Sequence, residues 1–185
     1  MIIMWPEQYT VPGSAYVPNN ILPVLIYRDV LPTPIDPHTV KQLCQRNGWE
    51  KRGEWGEIKI PHFHPNTHEC YAIIRGSSRF ALGRAKDDEG TDGIEVNVRT
   101  GDVMVIPAGV SHRSLSSEED FRYIGVYPEA GPRWRNSYCE GNESMDELFK
   151  EINKVSIPDS DPVLGANGPL CQIWNTARAE LRARL

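Results

Sequence analysis

The chain has 185 residues, with 20 basic and 25 acidic side chains and a formal net charge of −5. That length makes one domain with room for a real core, and 39% hydrophobic with 24% charged residues is a globular composition, not a disordered one. The acidic balance without a basic stripe speaks against a nucleic-acid partner. No apolar run reaches the roughly 18 residues of a membrane helix. The first basic residue is Arg28, so the opening lacks the charged region of a secretion signal and the expected location is cytoplasmic.

Seven of the fifteen prolines fall within the first 37 residues, among Ile21, Leu22, Val24, Leu25 and Ile26. Proline removes backbone donors and fixes φ, so this stretch predicts an extended arm with edge-strand pieces. A long apolar arm of this kind commonly packs across a neighbouring subunit, which makes a homodimer the expected assembly. Asp36-Pro37, then Val40, Leu43 and Cys44, then Asn47-Gly48, predicts a short helix capped by Asp36 and stopped at Gly48, closing a first segment of residues 1–50.

From there the pattern is β. Short runs at 55–60, 69–74, 79–82, 94–98, 103–106 and 121–127 are rich in strand formers and separated by Gly, Pro, Asn or Asp. The run Ile94-Glu-Val-Asn-Val alternates as a strand with one solvated face does. Residues 84–93 carry Asp87, Asp88, Glu89 and Asp92 and read as a solvated hairpin loop without the ligand order of a calcium loop. A C-terminal helical segment, 143–185, opens at Ser144 with Glu147 as a capping box and Met145, Leu148, Phe149 and Ile152 on one face. The four cysteines, Cys44, Cys70, Cys139 and Cys171, are scattered and read as reduced, buried filler. The whole is a single all-β domain, a small barrel or sandwich with flanking helices.

Four of the five histidines, His62, His64, His68 and His112, lie in this β region. On a strand, His62 and His64 point to one face, and Glu69 and Tyr71 share a face of the next strand. Two imidazoles and a carboxylate from neighbouring strands can converge on one ion, and His112 can complete the set. Such donors suit a borderline divalent transition metal and leave room for solvent or substrate. His68 stays open among three readings: a substitute ligand swung in from the loop, a residue that supports the ligands from behind or carries a proton in catalysis, or a surface histidine.

The flanking residues sharpen this. Gly56, five residues, His62-Phe-His64, four residues, Glu69, six residues, Gly76 forms one block; Gly101, five residues, Pro107-Ala-Gly109, two residues, His112 forms another. Both resemble the signature motifs of the cupin superfamily, over residues 55–128. His64-Pro-Asn-Thr-His-Glu, Tyr127-Pro-Glu and Ser160-Asp-Pro-Val extend the likeness to a group of small bacterial and fungal cupins. The family often has Asn where Ser116 stands here. The resemblance implies a small jelly-roll β-barrel with one metal inside, held by His62, His64, Glu69 and His112. It also implies that Gly109 turns the chain so that His112 faces inward.

A facial ligand set on Fe(II), or on competing Mn, Ni, Zn or Co, leaves positions for dioxygen or a chelating substrate. The expected function is therefore a metal-dependent enzyme on a small oxygenated organic molecule, dioxygenase chemistry first and a redox-neutral isomerase, decarboxylase or lyase second. A non-enzymatic small-molecule-binding protein and a storage cupin are the readings from other classes. His68 and Tyr71 are the candidate catalytic residues, Tyr71 as pocket lining or proton donor. Arg79, Arg113 and Arg122 are candidate partners for an anionic substrate.

Overall fold

Two strands arise from the proline-rich opening. In the computed structural model, which describes residues 5–85 and 93–184, these are β1 (Glu7–Val11) and β2 (Asn20–Tyr27), followed by α1 (Pro37–Arg46) and β3 (Trp49–Trp55). There follow β4 (Glu69–Leu82), β5 (Ile94–Arg99), β6 (Val103–Ile106) and β7 (His112–Pro128), then α2 (Met145–Lys154) and α3 (Pro169–Arg184). The acidic turn of Asp87, Asp88, Glu89 and Asp92 lies outside the described residues.

All strand pairs are antiparallel, in the order β1-β2-β6-β4-β7-β3, with β5 also on β4. Strand β4 is the pivot. Its first residues pair with β6, its last with β5, and β7 follows its other edge throughout. The two expected strands at 69–74 and 79–82 are thus one, bent where the β4–β7 register shifts around Arg75. Gly76 sits in that bend at φ +68°, where an added Cβ would lie 2.3 Å from the Glu118 carbonyl oxygen. Only glycine takes that conformation at that distance without strain. The result is the jelly-roll barrel the motifs implied.

Strand alternation sorts side chains into two cores. Val24, Ile26, Tyr71, Ile73, Met104, Ile106 and Tyr123 point inside the barrel with Phe80, Leu82, Val96, Val98 and Phe121. Their neighbours Leu25, Tyr27, Cys70, Ala72, Val103, Val105, Ile124 and Val126 face the other way, into a second core with Val40 and Cys44 of α1 and Leu170 and Trp174 of α3. Leu22, Val24, Leu25 and Ile26 of the arm are therefore buried in these cores, while Ile21 stays exposed. Pro23 fits β2 because β6 pairs only with Leu25–Tyr27, leaving its carbonyl to accept from Trp174 Nε1 at 2.9 Å.

Helix α1 begins as its sequence directs, with the Asp36 carboxylate accepting the N–H groups of His38 at 2.9 Å and Thr39 at 3.0 Å. Helix α2 starts after Ser144, but no side-chain cap bond forms, and Phe149 of the expected apolar face is 42% exposed. The strand expected at 55–60 is shifted: β3 ends at Trp55, and its partner β7 fixes the register. None of the described helices is long and apolar enough to cross a membrane.

Candidate metal centre

The segment after β3 lies along the mouth of the barrel instead of joining the sheet. His62 pairs with His112 through reciprocal backbone bonds of 2.9 and 3.3 Å, and Phe63 pairs with Ser137 at 2.9 Å in each direction. Alternation then buries Phe63 among Val17, Cys139 and Leu148 and turns His62 and His64 toward His112. One nitrogen from each of the three buried imidazoles lies within 4.8 Å of the others.

The orientation of each ring is set from behind. His62 Nδ1 lies 2.9 Å from the Ile60 carbonyl oxygen, His64 Nδ1 3.1 Å from that of Arg135, and His112 Nδ1 3.1 Å from that of Val110. A carbonyl only accepts, so Nδ1 carries the proton in each ring and Nε2 turns to the common point. A ligand imidazole anchored through its other nitrogen has this arrangement. Glu69, first residue of β4 and the fourth expected ligand, stands outside that mutually close group but borders two of its members, with Oε2 2.9 Å from His64 Nε2 and 3.2 Å from His112 Nε2. The His112 approach lacks hydrogen-bond geometry, so that buried nitrogen is left without a partner. Its other oxygen, Oε1, accepts the Tyr127 hydroxyl.

The electrostatics follow from burial and from these contacts. Burial first, then the neighbouring His112 imidazole, pushes His62 down to about 3, so it stays neutral. Burial also works against a charged His64, but the Glu69 carboxylate outweighs it and the net shift is upward. For Glu69 burial works upward, and His64 and His112 together outweigh it, holding the carboxyl below its usual range. Burial, then Glu69, raises the Tyr127 hydroxyl, which keeps its proton and donates. Three oriented imidazole nitrogens, one of them a buried orphan, and an ionised carboxylate fit a borderline divalent metal ion. His62, His64 and His112, with Glu69 against two of them, are the residues that can hold it.

A belt of aromatic rings runs from one ligand to another. Tyr127 lies 6.1 Å from His64 and stacks on Trp134 at 5.1 Å; Trp134 meets Trp55 edge-on at 5.9 Å. Trp55 lies 5.9 Å from Tyr123, which stacks on Tyr71 at 3.8 Å, and Tyr71 meets His112 at 5.7 Å. Trp55 fits because Gly53 and Gly125 face each other across β3 and β7; a Cβ on either would come within 2.2 Å of its ring. Tyr71 thus lies on the histidine side, as its parity with Glu69 predicts, inside a packed aromatic wall. Trp134 and the carbonyl of Arg135 had no mark in the sequence, and Tyr127 was marked only as part of the family likeness, with no role at the centre.

His68 is elsewhere. It is 1% exposed, which removes the surface reading, and it points into the outer core, its ring 4.6 Å from that of Trp174. The strand parity that aims Glu69 inward aims its neighbour outward, so the inward swing that a ligand or proton carrier needs does not occur. Arg79 and Arg122 are held by Glu95 at 3.5 Å and Asp120 at 3.1 Å in exposed ion pairs. Arg113 follows His112 on β7 and alternates to the opposite face.

A three-histidine centre at the mouth of a jelly-roll barrel is a cupin arrangement, and the cupin family model matches residues 54–149. The chain belongs to the cupin family. It is 31% identical over 169 residues to "Uncharacterized protein YjlB" of Bacillus subtilis (strain 168), covering 91% of this chain and 96% of that one. It is 28% identical over 137 residues to an acireductone dioxygenase of Heterostelium pallidum, covering 66% of this chain and 88% of the other. A solved structure of Bacillus subtilis oxalate decarboxylase aligns with a TM-score of 0.34 at 18% identity, over 63% of this chain and 27% of that one.

Proposed function

We propose that the protein is a metal-dependent cupin enzyme acting on a small oxygenated organic molecule, with dioxygenase chemistry on Fe(II). The observation that carries this is the convergence of three imidazoles, each anchored through Nδ1 to a backbone carbonyl, on one point beside the Glu69 carboxylate. Bound there, a divalent ion supplies Lewis acidity and, as iron, a site for dioxygen. Likeness to an acireductone dioxygenase supports the same direction.

The chain's own contributions are orientation and exclusion of water. The carbonyls of Ile60, Arg135 and Val110 hold the imidazoles in one tautomer, and Tyr127 holds Glu69 while keeping its proton at the hydroxyl. The packed rings of Tyr71, Tyr123, Trp55, Trp134 and Tyr127 make the surroundings of the centre aromatic and dry, an environment that favours a conjugated substrate such as an enediol or β-dicarbonyl.

Anaerobic purification, reconstitution with Fe(II) and elemental analysis test the first part: close to one equivalent per chain is expected, and under about a tenth with every first-row metal refutes it. Oxygen-electrode assays against enediols, β-dicarbonyls and catechols test the second. Turnover without oxygen uptake replaces the dioxygenase by a redox-neutral isomerase, decarboxylase or lyase. Metal binding with no turnover on any of them leaves a binding protein.

A further inference from the structure

A fully buried histidine is an expensive way to fill space beside a tryptophan, because an apolar ring packs there without a polar group to satisfy. His68 has one polar contact: its Nδ1 accepts the Ala108 N–H at 3.0 Å. His68 lines a cavity of about 510 Å³ beside the Ser156 backbone, but its Nε2 is itself buried and finds no hydrogen-bond geometry there. Among the described residues, the bond that Nδ1 accepts from the Ala108 N–H is therefore the hydrogen bond this imidazole makes.

Ala108 is the second residue of the turn that delivers His112. Its carbonyl accepts from Asn20 Nδ2 at 2.8 Å, the Gly109 N–H goes to the His64 carbonyl at 2.9 Å, and the Val110 N–H closes the turn on Pro107 at 3.2 Å. The Val110 carbonyl then takes His112 Nδ1 at 3.1 Å. Between the outer core and the His112 ring there is thus a continuous path of hydrogen bonds and one tight turn. His68 begins it, held by Trp174, and His112 ends it.

We infer that His68 is a positioning residue: through the Ala108 N–H it fixes the 107–110 turn, and through the Val110 carbonyl it fixes the ring of His112 for metal binding. The inference rests on the metal-centre reading, but not on which reaction the protein catalyses.

Two substitutions separate acceptor from packing. His68→Asn places Oδ1 where Nδ1 stands and gives up most of the ring; His68→Phe keeps a ring against Trp174 and removes the acceptor. Co(II) affinity is read by competition with a chromophoric chelator, alongside the visible Co(II) spectrum and the melting temperature of the metal-free protein. His68→Phe is expected to bind Co(II) about 10–100-fold more weakly with an altered spectrum, and His68→Asn to stay within about threefold of the parent despite a lower melting temperature. Parent-like affinity and spectrum in His68→Phe overturn the inference, as does affinity that tracks melting temperature in both variants. If neither variant folds, the 15N-labelled parent decides. A scalar coupling between Ala108 N and His68 Nδ1 that changes on Zn(II) addition supports the path, and a coupling absent or unchanged overturns it. Failure of the parent itself to bind Co(II) or Zn(II) strikes the metal-centre reading first.

Discussion

Replacing Tyr127 by phenylalanine deletes one oxygen and leaves the ring stacked on Trp134 at 5.1 Å. The lost hydroxyl donates to Glu69 Oε1, a bond to a buried charged group, worth about 1.5–3 kcal/mol. Where that cost falls depends on the state of the centre. Without metal, Glu69 keeps His64 and His112 beside it, at 2.9 and 3.2 Å, and these imidazoles can take up part of the loss. With metal, their Nε2 atoms are committed, and Tyr127 is the side-chain donor left to the carboxylate. The penalty therefore falls mainly on the loaded form. At about 1.4 kcal/mol per tenfold, it weakens metal binding by roughly 10–100-fold. Zn(II) or Co(II) competition titrations measure this directly, and urea melts of the metal-free protein measure the other arm. An affinity within about twofold of the parent, or metal-free destabilisation as large as the affinity loss, would refute the reasoning.

Asp161 is fully buried, accepting the N–H groups of Val163, Leu164 and Leu170 at 2.9, 3.0 and 3.2 Å and the Tyr27 hydroxyl. Asp161→Ala should therefore lower unfolding free energy in urea by about 3–5 kcal/mol, and a change under about 1 kcal/mol would contradict this role. Gly76→Ala, at φ +68° and 2.3 Å from a carbonyl oxygen, should cost more than about 2 kcal/mol in the same assay; a parent-like melt would mean the β4 bend does not need glycine. Burial raises Cys44 to about 12, and burial likewise lifts Cys70 well above the usual thiol range. Iodoacetamide near neutral pH should accordingly label the half-buried Cys171 well before either, and rapid labelling of Cys44 would show that α1 is not seated on the sheet.

Much of the centre could be read from sequence because its geometry is encoded in parity. One residue separates His62 from His64 and Glu69 from Tyr71, so each pair shares a face whatever the surroundings. Helix α1 was legible for a similar reason, since Asp36, Pro37 and Gly48 act within one turn of themselves. What escaped depends on distant partners. The Tyr127 hydroxyl reaches Glu69 across 58 residues and the Arg135 carbonyl reaches His64 across 71, and no local pattern marks either. The first half of β7 and the body of β3 are polar runs, Ser114–Asp120 and Glu50–Glu54, with weak strand propensity of their own, and neighbours supply their order. Ser144 shows the converse: a capping box present in the sequence forms no side-chain cap bond.

The three imidazoles are aimed by peptide oxygens at Ile60, Val110 and Arg135, and no side-chain exchange can delete a peptide oxygen. Position 135 is instructive, since its guanidinium is tied at 2.7 Å to both Glu143 and Glu151, yet the atom facing His64 belongs to the main chain. The aromatic wall is therefore free to drift in bulk or polarity while the imidazoles keep their aim, provided the turn behind Val110 is held. Glu69 has no such insurance, because its orienting hydroxyl belongs to a side chain one base change can remove. Descendants of this scaffold that exchange one substrate for another should differ first in the aromatic wall, then at the carboxylate, and last at the histidines.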